Sequence, residues 1–204
     1  MPDLESDLFT LAMSEKAQPL MDAVIKHIKD NVDPITEEFY ELDREKEDRW
    51  SWHPRQLELL DGAKAKAKKS GLWNFFLPDS EMGEGLTNLD YAYIAAELGK
   101  SNLASETLNC SAPDTGNMEV LERVGTPEQK EQWLKPLLNG EIRSAYAMTE
   151  PGIPSSDAKN VSTEAVPDGD EWVINGEKFY ISGAADPRCK IMITMVKTSP
   201  DAPS

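Results

Sequence analysis

The sequence predicts an α+β fold, all-helical over residues 1–145 and then an incomplete antiparallel β-domain over 146–204. Three observations carry this reading. Apolar residues recur every three or four positions through the first part, the spacing of one helical face. Beyond Tyr146 they gather into short runs separated by Pro167-Asp168-Gly169-Asp170 and Asn175-Gly176, both turn signals. With 204 residues, 39% of them hydrophobic, the chain can bury a core and cannot be wholly disordered.

The first helical stretch covers residues 14–49. Leu20, Val24, Ile28, Val32, Ile35, Phe39 and Leu42 trace its face, and Pro34 is expected to kink or divide it. Residues 54–70 form a second helix, closed by Gly71. Its lysines, Lys64, Lys66, Lys68 and Lys69, read as a solvated face, because no glycine-rich loop or interleaved aromatic accompanies them. An apolar patch, LWNFFLPD, follows and is ended by Pro78. Thr87 with Asp90 three positions on opens a helix over 89–98, stopped by Gly99. Another covers 105–124 with an interruption at Pro113. The clearest start signal is Thr126-Pro127-Glu128-Gln129: a cap, a proline at the first position and Gln three after the cap. That helix carries Trp133, Leu134, Leu137 and Leu138 inward and ends at Gly140, with Pro136 expected to loosen its last turn.

After Tyr146 the runs 162–166, 172–174, 178–181 and 189–198 read as strands of an antiparallel meander, with Asn175-Gly176 as a hairpin turn. Trp172 and Phe179 are expected in the sheet core. So few strands leave a face to cover and an open edge. The domain boundary is a change of period near 141–146, with no flexible tether.

Thirty-seven acidic residues against 21 basic give a net charge of −16, the wrong sign for nonspecific nucleic-acid or anionic-membrane binding. Cys110, Cys189, His27 and His53 lack metal-ligand spacing, which argues against a zinc site or disulfide scaffold. No stretch reaches the ~18 apolar residues of a membrane span, and MPDLESDLFTL lacks the basic-then-apolar order of a signal peptide. A cytoplasmic, reducing location is the expectation.

For nucleophilic catalysis the chain offers little. No Gly-x-Ser-x-Gly turn exists, so His27 and His53 read as satisfied or exposed side chains. Cys110 reads as a small core residue. Carboxylate pairs such as Glu37/Glu38 and Glu45/Glu47 read as solvated charge, and no Walker or dinucleotide glycine fingerprint occurs. One stretch differs: residues 146–157, YAMTEPGIPSSD, pack hydroxyls, two prolines, a glycine and paired serines where helix gives way to sheet. Prolines fix φ and remove donors, leaving a rigid irregular backbone that can present amides and hydroxyls to an anionic or heteroaromatic ligand, or simply connect two domains.

TEPGIPSSDA, preceded by Tyr-Ala-Met, resembles the T-E-P…S-D signature of the acyl-CoA dehydrogenase family, and VINGEKFYISGA (173–184) resembles that family's I-N-G-x-K-x-(W/Y)-I-(S/T) segment. NCSAPDTGNMEVL, GTPEQKEQWLKPLLNGEIRSAYAMTEP, GLWNFFLP and LDYAYIAAELG resemble its helical lead-in. NCSAPDTGNME is most similar to the branch represented in animals by long chains with an added phosphotransferase-like domain. The resemblance covers residues 15–198.

The resemblance implies FAD as cofactor. Backbone at Tyr146 and Met148, and the hydroxyl and amide of Thr149, would hydrogen-bond the pyrimidine edge of the flavin; Tyr180 would pack on the ring, and Ser182 would lie near N5. The serine after T-E-P falls at Ser155 or Ser156, where it would reach FAD phosphates or the CoA of the substrate; this chain has SSD where most members have GSD. Ser162 and Ser199 lie outside both motifs and are expected to be silent. The implied reaction is α,β-dehydrogenation of an acyl-CoA to a trans-2-enoyl-CoA, with reoxidation by an electron-transferring flavoprotein and a homo-oligomeric full-length enzyme. In the family the base is a glutamate of a C-terminal four-helix domain. That domain is expected to be absent here, so no catalytic residue is assigned. A non-catalytic flavin- or thioester-binding fragment, or an assembly partner of a complete homologue, is the alternative of another class. A monooxygenase or oxidase on the same fold is the alternative within the enzymes.

Overall fold

The computed structural model describes residues 11–46, 48–77 and 83–199. Pro78, expected to end the apolar patch, and the tail beyond Ser199 lie outside them. The chain divides into two compact units, Met1–Thr115 and Gly116–Ser204.

In the first unit, α1 (Gln18–His27) passes through a π turn, Ile28–Val32, into α2 (Asp33–Glu41) and a 3₁₀ turn, Leu42–Glu45. Pro34 therefore neither breaks nor splits the run. A proline has no N–H to give and crowds the carbonyl four residues back. The wider turn ahead of it, in which the Asp33 amide reaches Ile28 O, takes up that misfit. The helix α3 (Pro54–Lys69) starts at a capping box: His53 Nδ1 accepts the Arg55 amide at 3.2 Å, and Gln56 Oε1 accepts the His53 amide at 3.1 Å. Gln56 Nε2 also donates to Phe39 O and Asp43 Oδ1, both at 2.8 Å, tying this start to the end of α2. One of the four lysines departs from the solvated reading. Lys64 is buried with Nζ 2.9 Å from Glu106 Oε1, while Lys66, Lys68 and Lys69 are exposed. The helix α4 (Asn88–Leu98) opens on the expected Thr87–Asp90 box, and α5 (Ala104–Thr107) is a single turn. Val24, Val32, Phe39, Leu60, Phe75, Ile94 and Leu98 fill the core of this unit.

The second unit takes up α6 (Asp114–Val124), which begins at the division. After Thr126 caps the next helix, α7 (Pro127–Gln129) leads through a π turn, Lys130–Leu134, into α8 (Lys135–Leu138). Pro136 repeats the device at Pro34: the Lys135 amide reaches Lys130 O, so the helix widens upstream and its end is not loosened.

The strands are β1 (Arg143–Ala147), β2 (Glu164–Asp168), β3 (Glu171–Asn175) and β4 (Cys189–Thr194). They do not form a meander. β2 and β3 are an antiparallel hairpin, whereas β4 returns to pair in parallel with β1, Ala145 opposite Met192. Beyond β4, Lys197 bridges to the start of β2: its amide donates to Thr163 O at 2.8 Å and its carbonyl accepts from Ala165 at 3.0 Å. Asn117 Nδ2 fastens α6 to β1 through Ser144 Oγ and Ala145 O at 2.8 and 3.0 Å.

Three local readings are corrected. The hairpin turns at Gly169-Asp170, where Gly169 has φ +63°, and not at Asn175-Gly176. Gly176 has another use: a Cβ there would lie 2.3 Å from Thr163 Oγ1, so the glycine lets the chain pass close over Thr163. Residues 178–181 are not a strand, because Tyr180 stands at φ +53°, left-handed and incompatible with a ladder. Trp172 and Phe179 are exposed rather than core.

Candidate functional site

The segment after β1 is organised by Glu150. Its side chain is only 2% exposed, in a unit whose sequence is rich in solvated acids. Oε2 accepts the Ser162 amide at 2.8 Å and the Ser162 hydroxyl at 2.5 Å. Oε1 accepts the Thr163 amide at 2.9 Å and Lys178 Nζ at 2.7 Å. Burial alone would raise its pKa. The Lys178 ammonium and the donors from Ser162 and Thr163 outweigh that and hold the carboxyl well below the usual range. Lys178 Nζ also donates to Met148 O at 3.0 Å, and the Phe179 amide donates to Thr149 O at 3.1 Å. Residues 146–150 and 178–182, far apart in sequence, are thereby brought side by side. Position 183 adds to this, since a Cβ there would sit 3.4 Å from Ser144 O of β1.

Around this join the groups expected to receive a flavin separate into buried and open ones. Tyr146 is exposed, Met148 and Thr149 are half-buried, and Ser182 is exposed. Tyr180 is 85% exposed, its ring centroid 4.5 Å from that of Phe179. A bulky aromatic held at φ +53° and turned to solvent is costly unless its surroundings fix it, a pattern concentrated at ligand sites. Among the described residues no hydrogen bond engages the Thr149 or Ser182 hydroxyl. The two serines left open by the sequence differ. Ser155 is buried, its hydroxyl receiving the Glu150 amide, whereas Ser156 is exposed. Ser155 braces the Glu150-Pro151-Gly152 turn, and Gly152 supplies φ +78°.

Ser162, expected to be silent, gives both its amide and its hydroxyl to Glu150. Glu150 and Lys178 stand in the two motifs without a role that the sequence alone assigns. The available signal was a lone acid between Thr149 and Pro151 and a lone base after Asn175-Gly176-Glu177, each in a segment with little else to hold it. The other candidates for chemistry resolve as structure. His27 is buried, with Nε2 3.3 Å from Thr107 Oγ1 and Nδ1 3.3 Å from Asn31 Nδ2. His53 caps α3, and burial pushes the Cys110 thiol up to about 12, where it is inert. Among the described residues no group of His, Cys, Asp and Glu could hold a metal, and no helix is long and apolar enough to cross a membrane.

The family model of the acyl-CoA dehydrogenase N-terminal domain matches residues 14–141, and that of the middle domain matches residues 145–204. The mouse (Mus musculus) acyl-CoA dehydrogenase family member 10 is 46% identical over 196 residues, 94% of this chain but 18% of that protein. A solved acyl-CoA dehydrogenase structure from Mycobacterium abscessus superposes with a TM-score of 0.85 at 46% identity, covering 94% of this chain and 48% of that one. An acyl-CoA dehydrogenase from Bacillus anthracis, solved in complex with FAD, shares the fold at TM-score 0.61 and 22% identity, over 91% of this chain and 30% of that chain. The chain belongs to the acyl-CoA dehydrogenase family. It spans less than half the length of each of these relatives.

Proposed function

We propose that the protein carrying this chain is an FAD-dependent acyl-CoA dehydrogenase that converts an acyl-CoA to the trans-2-enoyl-CoA, with residues 1–145 its helical N-terminal domain and 146–204 the start of its middle domain. The observation that supports this best is the match of both family models across nearly the whole chain, N-terminal domain first and middle domain second. The donor set agrees with it. Exposed aromatics, two hydroxyls without another partner among the described residues and the end of a strand suit a planar, heteroatom-edged ring better than a metal or a phosphate alone.

Backbone at Tyr146 and Met148 with the Thr149 hydroxyl and amide would hold the pyrimidine edge; Tyr180 would cover the ring, and Ser182 would donate near its reactive nitrogen. When bound, the flavin supplies the two-electron chemistry by taking up the hydride that leaves the β-carbon. What this chain contributes is position and polarity. Ser156, exposed, is the better placed of the two serines to meet phosphate or CoA, with Ser155 holding the turn beneath it. The base that removes the α-proton would come from outside these 204 residues. Reoxidation by an electron-transferring flavoprotein, a homo-oligomeric enzyme and a cytoplasmic location complete the reading.

FAD titration of the full-length apoprotein and anaerobic flavin bleaching by a series of acyl-CoAs test it. Saturable FAD uptake with acyl-CoA-dependent bleaching supports the enzyme. Uptake without bleaching by any acyl-CoA supports a non-catalytic flavin-binding protein instead.

A further inference from the structure

We propose that Glu150 and Lys178 form a positioning clasp, holding 146–149 and 179–182 in fixed register so that the groups for the flavin are presented together. The inference rests on the FAD reading above and adds residues that touch neither the ring nor the substrate. The ladders do not join the two segments: β1 ends at Ala147, leaving Met148 and Thr149 beyond it, β3 ends at Asn175, and residues 176–182 belong to no ladder. The contacts that join them are the 2.7 Å ion pair, the bond from Lys178 Nζ to Met148 O and the bond from the Phe179 amide to Thr149 O. Two of the three pass through the Lys178 ammonium. Ser162 and Thr163 fix the other side of the carboxylate, and Gly176 allows the chain to cross Thr163 and bring Lys178 beneath Glu150.

A charge pair with side-chain exposures of 12% and 2% contributes little stability over an apolar pair of the same volume. Its advantage is directional, since one ammonium selects both Met148 O and Glu150 Oε1 and leaves the loop one place to sit. The left-handed Tyr180 lies two residues from Lys178, within reach of that constraint.

The test uses the full-length protein with Glu150→Gln, Lys178→Met and Lys178→Arg. Lys64→Met, which breaks the buried Lys64–Glu106 pair of the first unit, is the control. Four quantities are read: FAD Kd, visible circular dichroism of the bound flavin, Tm, and hydrogen exchange at the Phe179 and Thr163 amides. Glu150→Gln and Lys178→Met are expected to weaken FAD binding about tenfold or more, alter the flavin dichroism and speed exchange at both amides. Lys178→Arg recovers most of this, and Lys64→Met lowers Tm alone. FAD binding within about twofold of the parent in both clasp variants, with unchanged dichroism, overturns the proposal. Equal FAD loss in Lys64→Met does so too. Should the clasp variants fail to fold, Ser162→Ala decides: a weakening of about twofold to fivefold supports the clasp, and none overturns it. A parent protein that takes up no FAD defeats the functional reading alone. Exchange at Phe179 and Thr163 in Lys178→Met then still judges the clasp, faster supporting it and unchanged overturning it.

Discussion

The Thr149 and Ser182 hydroxyls have no partner among the described residues, while those of Ser155 and Ser162 are committed to Glu150. Thr149→Ala and Ser182→Ala should therefore each weaken FAD retention or slow flavin reduction by about threefold to tenfold, the scale of a net bond of roughly 0.5–1.5 kcal/mol. Stopped-flow bleaching and FAD titration of full-length protein measure this, with Ser199→Ala as the silent control. His27 gives a pH prediction. Burial, and then the charge of Lys66, lower its pKa below 6.5, so the folded state keeps the neutral ring. The unfolded chain binds the extra proton first, so this stability is present above pH 6.5 and is lost as pH falls through that value. Between pH 7.5 and 5.5 the parent should lose more Tm than His27→Gln does. Glu150 works lower on the scale: its depressed pKa stabilises above the ordinary 4.5 and fades as pH falls below it.

Helix starts are where single elements were most legible. Thr87 with Asp90 and Thr126 with Gln129 form reciprocal boxes as their spacing predicts, because both partners lie within one turn and need no distant contact. His53 with Gln56 makes a third that the usual cap residues would not suggest. Thr126→Ala should cost about 1 kcal/mol, read from urea unfolding. Gly176 was legible as a turn signal and is used otherwise, for close approach to Thr163. Gly176→Ala should destabilise by about 1–3 kcal/mol, and Thr163→Ala in the same molecule should recover part of the loss; no recovery would place the strain elsewhere. The π turns ahead of Pro34 and Pro136 were not legible, since periodicity shows where a proline disrupts a helix but not how the backbone absorbs it.

At the scale of the molecule, the β2–β3 hairpin leaves apolar side chains uncovered, with Val166, Trp172, Val173 and Ile174 each 45–56% exposed. Residues 1–204 produced alone should associate with rising concentration, seen by sedimentation velocity, and Trp172→Lys with Ile174→Lys should reduce it. A monomer at all concentrations would remove this reading of the hairpin. The sequence by itself determined the change from helices to strands, the Thr87 and Thr126 helix starts, the family and the two motifs. Those depend on local spacing or on residue identity in register, both written along the chain. Tertiary structure alone decided that β4 returns parallel to β1, that Tyr180 leaves the strand, that Ser155 turns inward and Ser156 out, and that Glu150 meets Lys178. These are pairings between residues distant in sequence, and a pattern of short period carries no information about which distant partner a buried charge or a strand edge will find.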